Sequence, residues 1–199
     1  MNKWGSCFKC SRGSMLEAPY FDWMEWQAGY AGGAWNGPGI TTSLGGTIAS
    51  GPFAGKQAGL GYAEATEIGS PATFSGQAID DTTVVVKYTF FGDADLDGDV
   101  DGLDIGTWAT NFTGELGGAG TSVWTQGDWD YDGDVDGLDA GAWATNFTGE
   151  LGGGGLGPIF TTNADAAAIL SSMGIDVVPE PALSVALLPL AALAGRRRC

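Results

Sequence analysis

The sequence predicts an α+β protein: a small Gly/aromatic-rich β segment, then two copies of an acidic loop followed by a helix, then an apolar C-terminal helix. Three observations carry that prediction. Residues 82–91 (TTVVVKYTFF) have the β-branched and aromatic composition of a strand. Residues 92–118 and 127–153 align at an offset of 35 with 23 identities in 27 positions, which marks a duplicated supersecondary unit. Residues 182–195 form an apolar run that ends on Arg196, Arg197 and Arg198.

Composition narrows the chemistry. The chain has 199 residues, a formal net charge of −16, eight basic residues and no histidine. Phosphate binding needs clustered Lys and Arg, so nucleic acid is excluded as a partner and cations are favoured. Twelve of the 24 acidic residues lie in the two loops, so the acidity is local. Without histidine, the commonest general base and transition-metal ligand is missing, and any catalysis would rest on carboxylates. Cys7 and Cys10 form half of a zinc or redox motif with no second pair to complete it, and Cys199 ends the chain.

The β segment spans residues 15–91, behind a patternless N-terminus at 1–14. Glycines and aromatics alternate through GYAGGAWNGPGITTS and LGYAEA before the strand candidate. Trp35 and Tyr62 invite a carbohydrate-platform reading, but rings in such segments more often serve packing. Glu64 and Glu67 are the one tempting carboxylate pair outside the loops, and glycosidase chemistry needs two such groups across a cleft.

The duplicated unit occupies residues 92–150. Its first loop is Asp93-Ala-Asp95-Leu-Asp97-Gly98-Asp99-Val100-Asp101-Gly-Leu-Asp104. The second, residues 128–139, repeats the pattern with Asp128, Asp130, Asp132, Gly133, Asp134, Val135, Asp136 and Asp139. Carboxylates at positions 1, 3, 5, 9 and 12 of a tight turn converge on one point, as a hard oxygen-seeking cation such as Ca²⁺ requires. Two ions are expected, one per loop. Gly98 and Gly133 permit a positive φ at position 6. At position 7, Asp99 and Asp134 are expected to give backbone carbonyls while their side chains face water. Val100 and Val135, at position 8, are expected to point inward and tie the loops together.

A helix follows each loop. Ile105, Trp108, Ala109 and Phe112 recur at i, i+3, i+4 and i+7, as do Ala140, Trp143, Ala144 and Phe147, so these residues are expected in the core. Gly114 and Gly149 suit the helix ends. No helical pattern precedes either loop. Asn111-Phe112-Thr113 and Asn146-Phe147-Thr148 match a glycosylation sequon, but a structural role is the expectation. Residues 151–177 then form a linker that opens on LGGGGLGP and carries a short helix at 163–173.

The two units resemble type I dockerin repeats. The resemblance implies two antiparallel helices, two Ca²⁺ ions and metal-coupled folding. It places ligand roles on Asp93, Asp95, Asp97, Asp101 and Asp104, and on Asp128, Asp130, Asp132, Asp136 and Asp139. In such repeats positions 10 and 11 help grip a cohesin. Here they are Gly102-Leu103 and Gly137-Leu138 rather than the familiar hydroxyl pair, so the protein partner stays open. The segment ahead of the loops is similar to those preceding dockerin repeats in planctomycete-like surface proteins.

Residues 178–199 resemble a PEP-CTERM sorting signal: Val178-Pro179-Glu180-Pro181, the apolar run and the arginines. Fourteen helical residues span roughly 21 Å, short of a ~30 Å hydrocarbon core, and Pro189 interrupts them. The resemblance implies export, transient membrane retention and processing by an exosortase-type enzyme. No signal peptide is visible, so Met1 is expected not to be the native start. The function expected is a non-catalytic, calcium-dependent docking or adhesion module on an exported cell-surface protein, with envelope polysaccharide a further candidate partner. The alternatives are the C-terminal piece of a polysaccharide-degrading enzyme and a purely structural envelope protein.

Overall fold

The computed structural model describes residues 23–114, 120–149, 159–175 and 177–179. It shows an α+β arrangement with small sheets. The apolar run at 182–195, with its expected helix, and the LGGGGLGP stretch lie outside the described residues. No described helix is long and apolar enough to cross a membrane.

Helix α1 (Trp23–Tyr30) comes first and passes into a 3-10 turn at Ala31–Gly33. Only β structure was expected here, although Trp23, Trp26 and Tyr30 recur at i, i+3 and i+7. Trp26 is buried and stacks on Tyr62 with ring centroids 4.4 Å apart. Strand β1 (Gly46–Thr47) pairs antiparallel with β2 (Gln57–Glu64). A two-stranded hairpin follows, β3 (Thr73–Phe74) and β4 (Gln77–Ala78), whose turn residues Ser75 and Gly76 both have positive φ, as a tight hairpin turn favours. Strand β5 (Val84–Phe90) realises the expected strand and pairs antiparallel with β2 from Ala58↔Phe90 to Glu64↔Val84.

Two glycines make β2 a docking surface. A Cβ on Gly59 would stand 2.5 Å from Phe91 and 2.6 Å from Trp35, and one on Gly61 would stand 2.5 Å from Leu96. Residues two apart share a strand face, so this bare face admits rings and loop side chains directly against the backbone. Trp35 is buried on this face, Tyr62 is buried against Trp26, and both rings serve packing.

Helices α2 (Gly102–Asn111) and α3 (Gly137–Asn146) follow the two acidic loops, and a 3-10 turn at Trp124–Gln126 precedes the second. Both helices stop at Asn, three residues before the expected glycines. Phe112 and Phe147 leave the helix with extended ψ, and Gly114 and Gly149 take positive φ in the turn beyond. Trp108, Trp143, Ile105, Ala109 and Ala140 are buried as expected, but Ala144 is exposed. Its counterpart Ala109 is covered by β6 (Ile159–Thr161), where the Thr161 hydroxyl donates to the Ala109 carbonyl at 3.0 Å. The repeats are therefore equal in sequence and unequal in cover.

The expected helix at 163–173 is α4 (Ala164–Ser172), started by Asn163, whose side chain accepts from the amides of Asp165 and Ala166. Strand β7 (Val177–Pro179) returns parallel to β6. A single hydrophobic cluster runs from Trp26 and Tyr62 through Leu96, Trp124 and Tyr131 to Leu170. The cluster includes Phe90 and Phe91 of the β segment together with Ala94, Leu96 and Val100 of loop 1.

Candidate metal centres

Strand β5 runs almost directly into loop 1, and the 3-10 turn delivers loop 2. Within each loop, carboxylates turn back onto backbone amides ahead of them. Asp95 Oδ1 accepts from the Asp97 amide at 3.1 Å, and Asp97 Oδ1 from the Asp99 amide at 3.0 Å. Asp130 and Asp132 repeat this toward Asp132 and Asp134 at 3.3 and 3.1 Å. The loops close through left-handed backbone at position 4, Leu96 (φ 62°) and Tyr131 (φ 63°), as well as at Gly98 and Gly133. Nothing in the sequence signals position 4, since Leu and Tyr disfavour that region.

Position 12 is the hinge of each centre. Asp104 Oδ1 accepts from the Ala94 amide at 2.7 Å, and its Oδ2 from the Asp101 amide at 2.8 Å. Asp139 does the same with Trp129 at 2.7 Å and Asp136 at 2.9 Å. Asp101 and Asp136 in turn cap the helices by accepting from Leu103 and Leu138. The capping box brings the helix start close to the loop, so an aspartate reaches where a longer side chain would otherwise be needed.

Carboxylate oxygens within 4.8 Å of one another form two groups in each loop: Asp93, Asp95 and Asp104, then Asp99, Asp101 and Asp104; and Asp128, Asp130 and Asp139, then Asp134, Asp136 and Asp139. Ten of the twelve sequence-predicted residues are thus gathered. Asp97 and Asp132 stand outside these groups. The position-7 side chains depart from expectation. Asp134 is 1% exposed and Asp99 half-buried, so neither faces open water. The amide of Ser122 donates to the Gly133 carbonyl at 2.9 Å, which lays the 120–122 segment against loop 2.

The inward-pointing valines also tie the units differently than expected. Both are fully buried, but each bonds the turn beyond the other unit's helix. The Thr148 amide donates to the Val100 carbonyl at 3.0 Å, and the Val100 amide to Thr148 Oγ1 at 2.8 Å. Thr113 and Val135 make the same exchange at 3.0 and 2.9 Å. The two sequons likewise differ: Asn146 is buried and donates to the Phe91 carbonyl, whereas Asn111 bonds Thr107 within its own helix.

Electrostatics match a cation site. Burial pushes Asp93 up to about 7, opposed by the Lys87 ammonium and the Thr89 hydroxyl. Burial raises Asp104 to about 8 and Asp139 to about 8, each opposed by backbone amides. It raises Asp128 to about 9 with help from Asp139 and Asp130, and Asp130 to about 6 with help from Asp132. Asp95 also moves up through burial. Carboxyls withheld from water and crowded by like charge favour the ionised form only when a cation joins them. Asp93 Oδ1 is buried with no hydrogen-bond partner, an acceptor that a metal ion would satisfy. The all-oxygen donor set fits a hard cation such as Ca²⁺.

Sequence reasoning missed Lys87 and Thr89, which reach Asp93 from β5, and Trp124, whose indole donates to the Asp93 carbonyl at 2.6 Å. A signal existed for the first two: they alternate on a strand that runs into the loop. No protein-family model, curated protein or solved structure matches this chain.

Proposed function

We propose that the chain is a non-catalytic, calcium-dependent docking or adhesion protein, with residues 92–150 acting as a dockerin-like pair that holds two Ca²⁺ ions. The observation that carries this reading is the convergence of aspartates, most of them buried, at equivalent places in both repeats. Asp93, Asp95, Asp101 and Asp104 would hold one ion, with Asp128, Asp130, Asp136 and Asp139 holding the other. Bound metal would replace the protons that buried carboxyls otherwise demand, so binding energy becomes folding energy. The tail at 178–199 would take the protein through export to the envelope, where the docking partner is a protein or a polysaccharide. Glu67, in the one carboxylate pair outside the loops, accepts from the Glu64 amide at 2.8 Å and helps close a turn.

Calorimetric titration of the chelator-stripped chain with Ca²⁺ tests the reading. Two ions per chain are expected; no heat up to millimolar Ca²⁺ would sink it.

A further inference from the structure

Loops 1 and 2 carry six aspartates at the same six positions, yet position 1 is partnered differently: Asp93 by an ammonium and a hydroxyl, Asp128 by backbone amides. Lys87 and Thr89 of β5 lie opposite Gly61 and Gly59 of β2, on the bare face that meets loop 1. Lys87 Nζ donates to the Leu96 carbonyl at 2.6 Å and stands 3.7 Å from Asp93 Oδ2, with its side chain only 12% exposed. The Thr89 hydroxyl donates to the same Asp93 oxygen. A Cβ on Gly98 would come within 3.0 Å of the ammonium, which places Lys87 over the loop's own turn.

Loop 2 is arranged otherwise. Tyr131 replaces Leu96, and its hydroxyl turns away to the Leu60 carbonyl at 2.7 Å. Asp128 accepts from its own loop, from the amides of Asp132 and Gly133 at 3.1 Å each. The other basic side chain among the described residues, Lys56, donates to the Phe147 carbonyl past the end of α3.

Building on the calcium reading above, we propose that Lys87 is a resident counter-cation of loop 1, which sets the calcium affinity of that loop below that of loop 2. An ion entering loop 1 meets a positive charge already engaged with Asp93, and Coulomb repulsion between them subtracts from binding. The same ammonium offsets carboxylate repulsion in metal-free loop 1, so loop 1 holds its shape before metal arrives. Asp128, at the equivalent position, meets backbone amides instead of an ammonium, so loop 2 gains most from calcium. Identical donor sets thus give two unequal sites, filled in order.

The test is calcium titration of the full chain by calorimetry, for wild type, K87Q, K87M and K87R. Wild type is expected to show two sites of unequal affinity. Removing the charge in K87Q or K87M should tighten the weaker site by about tenfold and leave the tighter one unchanged, while K87R preserves the gap. Circular dichroism in saturating Ca²⁺ checks that each variant is folded. Two equal sites in wild type overturn the proposal without any variant, as does a folded K87Q or K87M with the wild-type gap. Two ions bound equally leave the calcium reading standing, whereas absence of binding in every variant overturns both.

Discussion

The indole of Trp108 donates to the carbonyl of Asp136 at 2.8 Å, and Trp143 returns the bond to Asp101 at the same distance. Asp136 and Asp101 are the N-caps of α3 and α2, so each helix grips the residue that starts the other. Gly127 and Gly92 allow this approach, since a Cβ on either would come within 3.0 Å of the opposing tryptophan backbone. Replacing either tryptophan by Phe keeps most of the apolar ring and strands a buried carbonyl. Each change should cost about 1–3 kcal/mol, read as a lower urea midpoint in saturating Ca²⁺. Because the gripped residue belongs to the other repeat, Trp108→Phe should also weaken calcium binding at loop 2 more than at loop 1.

Metal removal should loosen both loop–helix units together. Chelation is expected to reduce the helical circular dichroism signal and to shift the emission of Trp108 and Trp143 toward the red as they meet water. The double change Asp93→Ala with Asp128→Ala should mimic chelation. Tryptophan emission that ignores chelator would contradict the coupling of metal to folding.

The metal-free chain should lose stability as pH rises. Asp93, Asp104, Asp128 and Asp139 have folded values of about 7, 8, 9 and 8, against an ordinary value near 4. Between those limits the folded state holds protons that the unfolded chain has released. Their contribution is complete below about pH 4 and is lost as pH climbs through the folded values. Urea midpoints of the chelated chain should therefore fall from pH 5 to pH 8, and saturating Ca²⁺ should remove the decline. A midpoint that climbs with pH in chelator would show the carboxyls to be ionised and paired without metal.

Gly61→Ala probes the join between sheet and loops. The added methyl meets Leu96 at 2.5 Å and the Trp124 ring at 2.9 Å, both buried. Overpacking of this kind costs about 1–3 kcal/mol. The loss should appear in thermal unfolding, with and without Ca²⁺, because it falls on the shared core rather than on the ligands.

Thr148→Val and Thr113→Val remove the hydroxyls that accept from the Val100 and Val135 amides. Each should cost about 1 kcal/mol, and amide hydrogen exchange should accelerate at the valine of the opposite repeat. Faster exchange confined to the mutated repeat would contradict the crossed pairing.

By itself the sequence determined the local content of this protein. The duplication, the twelve loop aspartates, the turn glycines, the strand at 82–91 and the helices with their buried tryptophans all follow from short-range spacing, which is set by helix and strand periods. Tertiary structure decided everything that depends on which segments meet. Trp26 of helix α1 meets Tyr62; Ala109 and Ala144 differ because β6 covers one and not the other; Asp134 is buried although its position in the loop suggested water. The crossed valine–threonine ties and the Lys87–Asp93 approach belong to the same class. Identical repeats have identical local preferences, so only long-range packing can make them different, and the unequal surroundings of the two loops are its product.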